Sequence, residues 1–535
     1  MNGADSVPVR KYVYALLILV AAANVTGHLA SAQLLPEPDL HTDKRTPTDQ
    51  RRVWSPKRPT PMPTFSSNDR SRWATIRALV DGDPETGERG YVVGRRPDRK
   101  TVLMSVATPL AATNALDAAA LAAVAYDQRR DRGIIFLDGY QSVDKVLHPD
   151  KLEFYSSKPP LFSTLVAGLY WLLKLLTGWT LASDPFAVVR TILVLVNLLP
   201  FIIYLMLLTR LVERYGTTDW GRLFVVATAC FATLMTPFAI TLNNHTVGTC
   251  CILFALYPVL SIWRGEVTAW RFIVAGFFAG FAVTNELPAL AFAAALFVLL
   301  LWRHAVPTLL FFVPAALVPV VALAVTNYVA IGQLRPAYGE FGGPWYTYEG
   351  SHWRKPAPGE VKYGIDWAHL KESRATYAFH VLFGHHGMFS LSPVWLLAAA
   401  GMFLALRHWR TLRRTPRDEP ERRGDSRAPP ASELVLVGGL TLVLTVIVVG
   451  FYLTRSESLN YSGWSNGLRW LMWLTPLWLL TMLPVADRLT DKRWGRWLAY
   501  AVLAVSVFSV SYRPWNPWRH PWLYDLMETQ GWIAY

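Results

Sequence analysis

The chain has 535 residues, of which 52% are apolar, and a formal net charge of +14. Its apolar residues come in long blocks divided by short charged connectors, which excludes an ordinary soluble globule and points to a polytopic helical membrane protein. The positive residues gather at block ends, where the positive-inside rule places them. They do not alternate with aromatics as a nucleic-acid footprint requires, so no nucleic-acid partner is expected. Cys230, Cys250 and Cys251 all lie in apolar blocks, which leaves no disulfide framework and no CxxC metal site.

Arg10-Lys11 precede the first apolar block, Tyr12 to about Leu29, and Ala30-Ser31-Ala32 has the small-residue form of a signal-peptidase site. The block is long enough to span and is read as a retained first helix, residues 1–32. Residues 33–65 are rich in Pro, Thr and charge and read as an extended linker.

Next comes Asn68-Asp69-Arg70-Ser71-Arg72-Trp73, continuing to Val80 without Gly or Pro and preceded by Ser66 and Ser67 as candidate caps. As a helix, it sets Asp69, Arg72, Trp73, Ile76 and Val80 on one face. A surface helix with an i,i+3 ion pair explains this pattern as readily as a site does. Residues 101–126 are apolar enough to resemble a span, but Thr108, Pro109, Asn114 and Asp117 interrupt them, so they read as an insertion in an external domain.

Glu153-Phe154-Tyr155-Ser156-Ser157-Lys158-Pro159-Pro160-Leu161 then leads into an apolar segment ending near Gly178. Two prolines start a helix and stiffen the chain, aiming Lys158. At headgroup level that lysine suits a phosphate, or it simply snorkels. Parity decides whether the segment crosses. Between Arg407 and Arg427 stand eight arginines and four acids, so that connector is cytoplasmic. Spans near 186–209, 221–240, 246–263, 270–285, 287–302, 305–331 and 388–407 return the chain there from the first helix. The segment after Pro160 is therefore laid along the interface, anchored by Tyr170 and Trp171. Three further spans, near 433–453, 469–486 and 495–512, bring the total to about eleven.

The expected organisation is thus the first helix, an external loop domain over 33–185 with interfacial helices, and a bundle over 186–331. An external loop over 332–387, C-terminal membrane helices over 388–512 and an external tail over 513–535 complete it. On this topology Asn243-Asn244-His245, Asn285-Glu286, the loop 332–387 and Arg455 to Arg469 share the external face with the 66–184 region.

At this point the pattern resembles the GT-C membrane glycosyltransferases, most closely the bacterial aminoarabinose-transferase and protein O-mannosyltransferase types. Asp69, Arg72, the aromatic Trp73 and Ile76 are similar to that family's first-loop acidic motif. Tyr155-Ser156-Ser157-Lys158-Pro159-Pro160-Leu161 is similar to its lysine-diproline-leucine motif. The resemblance covers roughly residues 10–260 and implies an all-α, GT-C-like fold. It implies Asp69 as the catalytic base on the acceptor, with Lys158 and Arg72 on the phosphate of a polyprenyl-phosphate sugar. Three features depart from the family: Arg70 follows Asp69 where a second acid is frequent, residues 81–132 are additional, and Asn243-Asn244-His245 stands where a later acid is common.

Arg469, after Tyr461-Ser462-Gly463-Trp464-Ser465-Asn466-Gly467-Leu468, is a further candidate for the phosphate, or an ordinary headgroup anchor. Trp73, Tyr155, Asn244, His245, Glu286 and His385 are candidate substrate contacts, although a short hairpin turn also explains Glu286. His380, His385 and His386, at spacings of five and one, do not share a helix face, so no metal and no cofactor is assigned. The expected activity is transfer of a sugar from a polyprenyl-phosphate-linked donor to a lipid, protein or glycan acceptor. It is placed in the bilayer of the cytoplasmic (inner) membrane, on the external or periplasmic side, with inversion at the anomeric centre. The rivals are a transporter or flippase for lipid-linked glycan and a non-catalytic binder of it. A transporter would show mid-membrane charge and inverted repeats, which the sequence lacks.

Overall fold

A computed structural model describes residues 6–31, 39–42, 50–53, 61–97, 131–362, 364–410, 430–454 and 460–535. Most of the 33–60 linker, the greater part of the 81–132 insertion, the connector after Arg410 and Arg455 to Leu459 lie outside the described residues. The protein is mostly helical. It divides into two compact units, the first made of residues 1–32, 193–321 and 361–535 and the second of 33–192 and 322–360.

In chain order the first elements are α1 (Ser6–Ser31), strands β1 (Asp39–Thr42) and β2 (Gln50–Val53), α2 (Ser67–Val80), β3 (Gly94–Arg95), β4 (Lys145–Leu147), β5 (Glu153–Ser156) and α3 (Pro160–Thr177). Then follow α4 (Pro185–Tyr215), α5 (Asp219–Phe238), α6 (Asn244–Trp263), α7 (Ala269–Asn285), α8 (Leu287–Arg303) and α9 (Ala305–Ile331). The chain ends with α10 (Arg374–Leu382), α11 (Trp395–Arg407), α12 (Ser432–Thr454), α13 (Arg469–Leu489), α14 (Arg493–Ser511) and α15 (Trp522–Thr529).

Nine helices among the described residues are long and apolar enough to cross a membrane. Eight of them, with the shorter apolar helices α7, α8 and α11, stand where the sequence places its eleven spans. The ninth is α3, the segment laid along the interface, whose length and composition also admit a crossing. Its apolar outer row, Leu165, Leu169, Leu172 and Leu176, is exposed with Trp171. Tyr170, expected at the lipid interface, is instead fully buried. Its hydroxyl reaches the Asp81 carboxylate at 2.8 Å and accepts from the Leu181 amide at 2.7 Å. Lys174 Nζ joins Asp81 at 2.7 Å, so Tyr170 fastens the helix to the end of α2.

The second unit also holds a three-stranded antiparallel sheet in the order β3-β5-β4, with Val146 opposite Tyr155 and Leu147 opposite Phe154. The sequence pattern predicts only helices and loops in this region. The strands are two to four residues long, too short for a period-2 pattern to announce them. Val146, Tyr155, Ala337, Trp345 and Tyr346 form the core on the sheet.

In the first unit, α7 meets the start of α9 with no side chain between them. A Cβ on Gly276 would lie 2.2 Å from the Phe312 carbonyl oxygen, and one on Gly280 2.2 Å from that of Ala316. Gly276 and Gly280 make a GxxxG pair, the usual means of bringing apolar helices this close. Gly401 of α11 is equally required, since its Cβ would fall 1.9 Å from the Thr481 carbonyl oxygen of α13.

Candidate functional site

In the second unit, Ser66 caps α2 by accepting the Asp69 amide, and Asp69 in the first turn suits the helix dipole. Asp69 is fully buried, and its Oδ2 accepts the Phe65 amide at 2.9 Å. Arg72, 3% exposed, donates from Nη1 to the Asn68 carbonyl at 3.0 Å and to the Asn68 side chain. Trp73 is wholly buried.

Lys158 is placed from two sides. Its amide donates to Ser156 Oγ at 3.1 Å, and Pro160 opens α3 directly after Pro159. Its ammonium meets Asp144 Oδ1 at 2.8 Å. Asp144 is itself fixed, for its carbonyl accepts Ser71 Oγ at 2.6 Å and the Ser157 amide at 3.1 Å. Ser71 Oγ also lies 2.6 Å from Ser156 Oγ, which ties α2 to β5. Asp144 was not foreseen, because nothing in its local sequence sets it apart and its partner is fourteen residues away.

Lys158, Tyr155, Ser156, Tyr91 and Thr75 line a cavity of about 20 Å³ with Asn327, Ala330 and Ile331. That is room for about one water molecule. Among the described residues, Asp69, Arg72 and Trp73 do not line it. Tyr155 donates to Glu153 at 2.6 Å, and burial with that carboxylate raises its phenol above the ordinary range. Lys145, beside Asp144, is pushed down by burial.

In the first unit, three expected contacts come together. Asn243 caps α6 by accepting the Thr246 amide at 2.8 Å. That sets Asn244 and His245 on the first turn, where Asn244 Nδ2 donates to Glu286 Oε1 at 2.9 Å and to the Asn285 carbonyl at 2.7 Å. His245 Nδ1 pairs with the same carboxylate oxygen. Glu286 directly follows α7, so two helix ends converge on one buried carboxylate. A Cβ on Gly248 would lie 2.8 Å from Glu286 Cγ, so glycine there makes its room. Asn197, in a π-turn of α4, braces the turn before Asn243 by donating to the Ala239 and Thr241 carbonyls at 3.0 and 2.7 Å.

Arg469 donates from Nε to the Ser462 carbonyl at 3.0 Å, and its guanidinium lies 4.6 Å from the centre of the Trp518 ring. His385 is fully buried, 2.6 Å from His386 (Nδ1 to Nδ1) and 2.7 Å from the Tyr535 hydroxyl through Nε2. Burial pushes the His386 imidazole down to about 3 and lowers His385 further. His380, set apart from His385 by sequence spacing, stacks on it with ring centres 4.1 Å apart. The helix carrying His380 stops at Leu382, and the chain turns back through Gly384, where a Cβ would strike His380 Nδ1 at 2.1 Å. Residues five apart face different sides of one continuous helix, but the helix ends at Leu382, so the turn is free to bring the two rings together.

Comparison with protein-family models returned no match, and comparison with curated proteins returned none. Among solved structures, the chain is similar to the Archaeoglobus fulgidus oligosaccharyltransferase in its apo form, at 12% identity and a TM-score of 0.38, over 98% of this chain and 56% of that one. The complex of the same enzyme with Zn and sulfate is similar at 13% identity and a TM-score of 0.35, over 69% of this chain and 46% of that one. The chain spans about half the length of the solved structures it matches.

Proposed function

We propose that this protein is a GT-C-like membrane glycosyltransferase that moves a sugar from a polyprenyl-phosphate donor to a lipid, protein or glycan acceptor on the external face. The observation that carries this reading is Lys158. Lys158 lines a cavity just before an 18-residue apolar helix, on a chain stiffened by two prolines. A cation fixed where an apolar surface begins is suited to a phosphate whose tail lies in lipid.

In this reading the phosphate replaces Asp144 as the partner of Lys158, and Arg72 adds a second cation. The cavity beside Lys158 takes a phosphate oxygen and not the sugar. Asp69 accepts the proton of the acceptor hydroxyl as that oxygen bonds to the anomeric carbon. The bond from that carbon to the phosphate oxygen breaks on the opposite side, which inverts the centre, and the cations take up the charge of the departing phosphate. Asp69 is buried against Phe65, so the start of α2 has to open for an acceptor to reach it. Asn244, His245 and Glu286 form a second polar cluster, suited to sugar hydroxyls.

The test is a mass-spectrometric comparison of membrane glycolipids and glycoproteins from cells with and without the protein, and with Asp69→Asn in its place. A glycoconjugate lost in both the deleted and the Asp69→Asn cells supports the reading. Identical profiles in all three overturn it, and a loss on deletion that Asp69→Asn restores leaves the protein a binder or carrier of lipid-linked glycan.

A further inference from the structure

We propose that Glu372, His380 and His385 form a binding site for a divalent transition-metal ion of the zinc type. The site stands apart from the glycosyl-transfer reading and lies wholly in the first unit. One ligand atom from each residue lies within 4.8 Å of the other two. Tetrahedral zinc with bonds of about 2.1 Å sets its ligands about 3.4 Å apart, so the three close on an ion once the His380 ring turns out of its stack on His385 and the ligand atoms move in by about 1 Å. Two imidazoles and one carboxylate are a donor set that zinc takes with a fourth position left over.

Two of the three ligands, Glu372 and His385, are held from behind as metal ligands are. Glu372 accepts the Tyr535 hydroxyl at 2.6 Å on Oε1 and the Tyr461 hydroxyl on Oε2. Tyr461 is fully buried, and it and Ser462 hold left-handed backbone with φ of 54° and 70°. That conformation costs on the order of 1 kcal/mol or more per residue outside glycine, and here it delivers the hydroxyl to Glu372. His380 is 5% exposed, and its Nδ1 is buried without a hydrogen-bond partner among the described residues.

The hydrogen-bond directions mark the place between Glu372 and His385 that an ion would take. Tyr535 gives its proton to Glu372, so it accepts from His385 Nε2, and His385 Nδ1 then accepts from His386. The Tyr535 oxygen therefore stands between two ligand atoms, 2.7 Å from one and 2.6 Å from the other. An ion placed there pushes the phenol oxygen aside, which leaves the fourth position to that oxygen at bonding distance or to water. His385 then carries its proton on Nδ1 and donates it to His386 Nδ1, while His386 carries its own on Nε2. The exchange is one of tautomers, with no net proton gained or lost, and it frees the His385 Nε2 lone pair for the metal.

The full-length protein, purified in detergent and stripped with a chelator, is titrated with Zn²⁺ and separately with Co²⁺. The expected result is one equivalent of zinc per chain, a raised melting temperature, and the intensified visible absorption of tetrahedral Co²⁺. Glu372→Gln and His380→Asn each weaken or remove a ligand and are expected to weaken binding by about 10²-fold or more, since even changes behind the ligands cost about 10–100-fold. Circular dichroism of the metal-free variants checks their fold. If a variant fails to fold, the Co²⁺ spectrum of the unmodified chain decides by itself. Absence of a stoichiometric ion, an octahedral Co²⁺ spectrum, or equal zinc affinity in folded variants overturns the proposal.

Discussion

The Lys158–Asp144 pair gives the sharpest test of the donor site. At 2.8 Å, two unit charges attract by about 6 kcal/mol at an effective dielectric of 20. Lys158 keeps 20% and Asp144 13% of its side chain exposed, and desolvation and screening reduce the net contribution to about 1–2 kcal/mol. A phosphate has to displace this carboxylate, so the pair works against binding by about that amount. Asp144→Asn should therefore tighten polyprenyl-phosphate binding about tenfold, since 1.4 kcal/mol is a factor of ten. Lys158→Ala should weaken it about tenfold or more, with the wild-type advantage growing as salt is lowered. The assay is isothermal titration of the purified chain with polyprenyl phosphate at two ionic strengths, after circular dichroism has shown each variant folded. If Lys158→Ala binds as tightly as wild type, or Asp144→Asn loses affinity alongside it, the pair is a structural tie and the phosphate role fails.

Asp69→Asn should leave donor binding nearly intact while turnover falls by about 10²; full activity in this variant would reduce Asp69 to a buried acceptor for the Phe65 amide. Gly280→Ala should lower the melting temperature by several degrees, because overpacking at the Ala316 carbonyl costs about 1–3 kcal/mol, and an unchanged melt would refute the close approach of α7 and α9. Cysteines at positions 180 and 417 should be labelled from opposite sides of the membrane, and reaction from the same side defeats the parity argument. Burial pushes the Tyr140 phenol from its ordinary 10 up to about 12. The folded chain holds that proton after the unfolded chain has released it, so stability is full below about pH 10 and falls by about 1.4 kcal/mol per pH unit up to about 12. Tyr140→Phe should remove that part of the alkaline loss in denaturant melts, and identical pH profiles would exclude it.

The sequence by itself determined what depends on neighbours within a turn or two. Blocks of apolar residues gave the long helices, Ser66 the start of α2, and Pro159-Pro160 the start of α3, because hydropathy, capping and a fixed proline φ are local. The GxxxG pair Gly276 and Gly280 is equally local and legible in the sequence. Pairings between distant segments were left to tertiary structure. Lys158 finds Asp144 only because β5 lies beside β4. Asn244 and His245 meet Glu286 only because two helix ends converge, and Glu372, His380, His385 and Tyr535 gather only because a short helix stops and turns at Gly384. A buried polar side chain takes whichever partner packing brings near it, since leaving it unpaired costs more than any local preference supplies. Its partner can therefore stand 41 residues away, as for His245, or 150, as for His385, at distances where no spacing rule reaches.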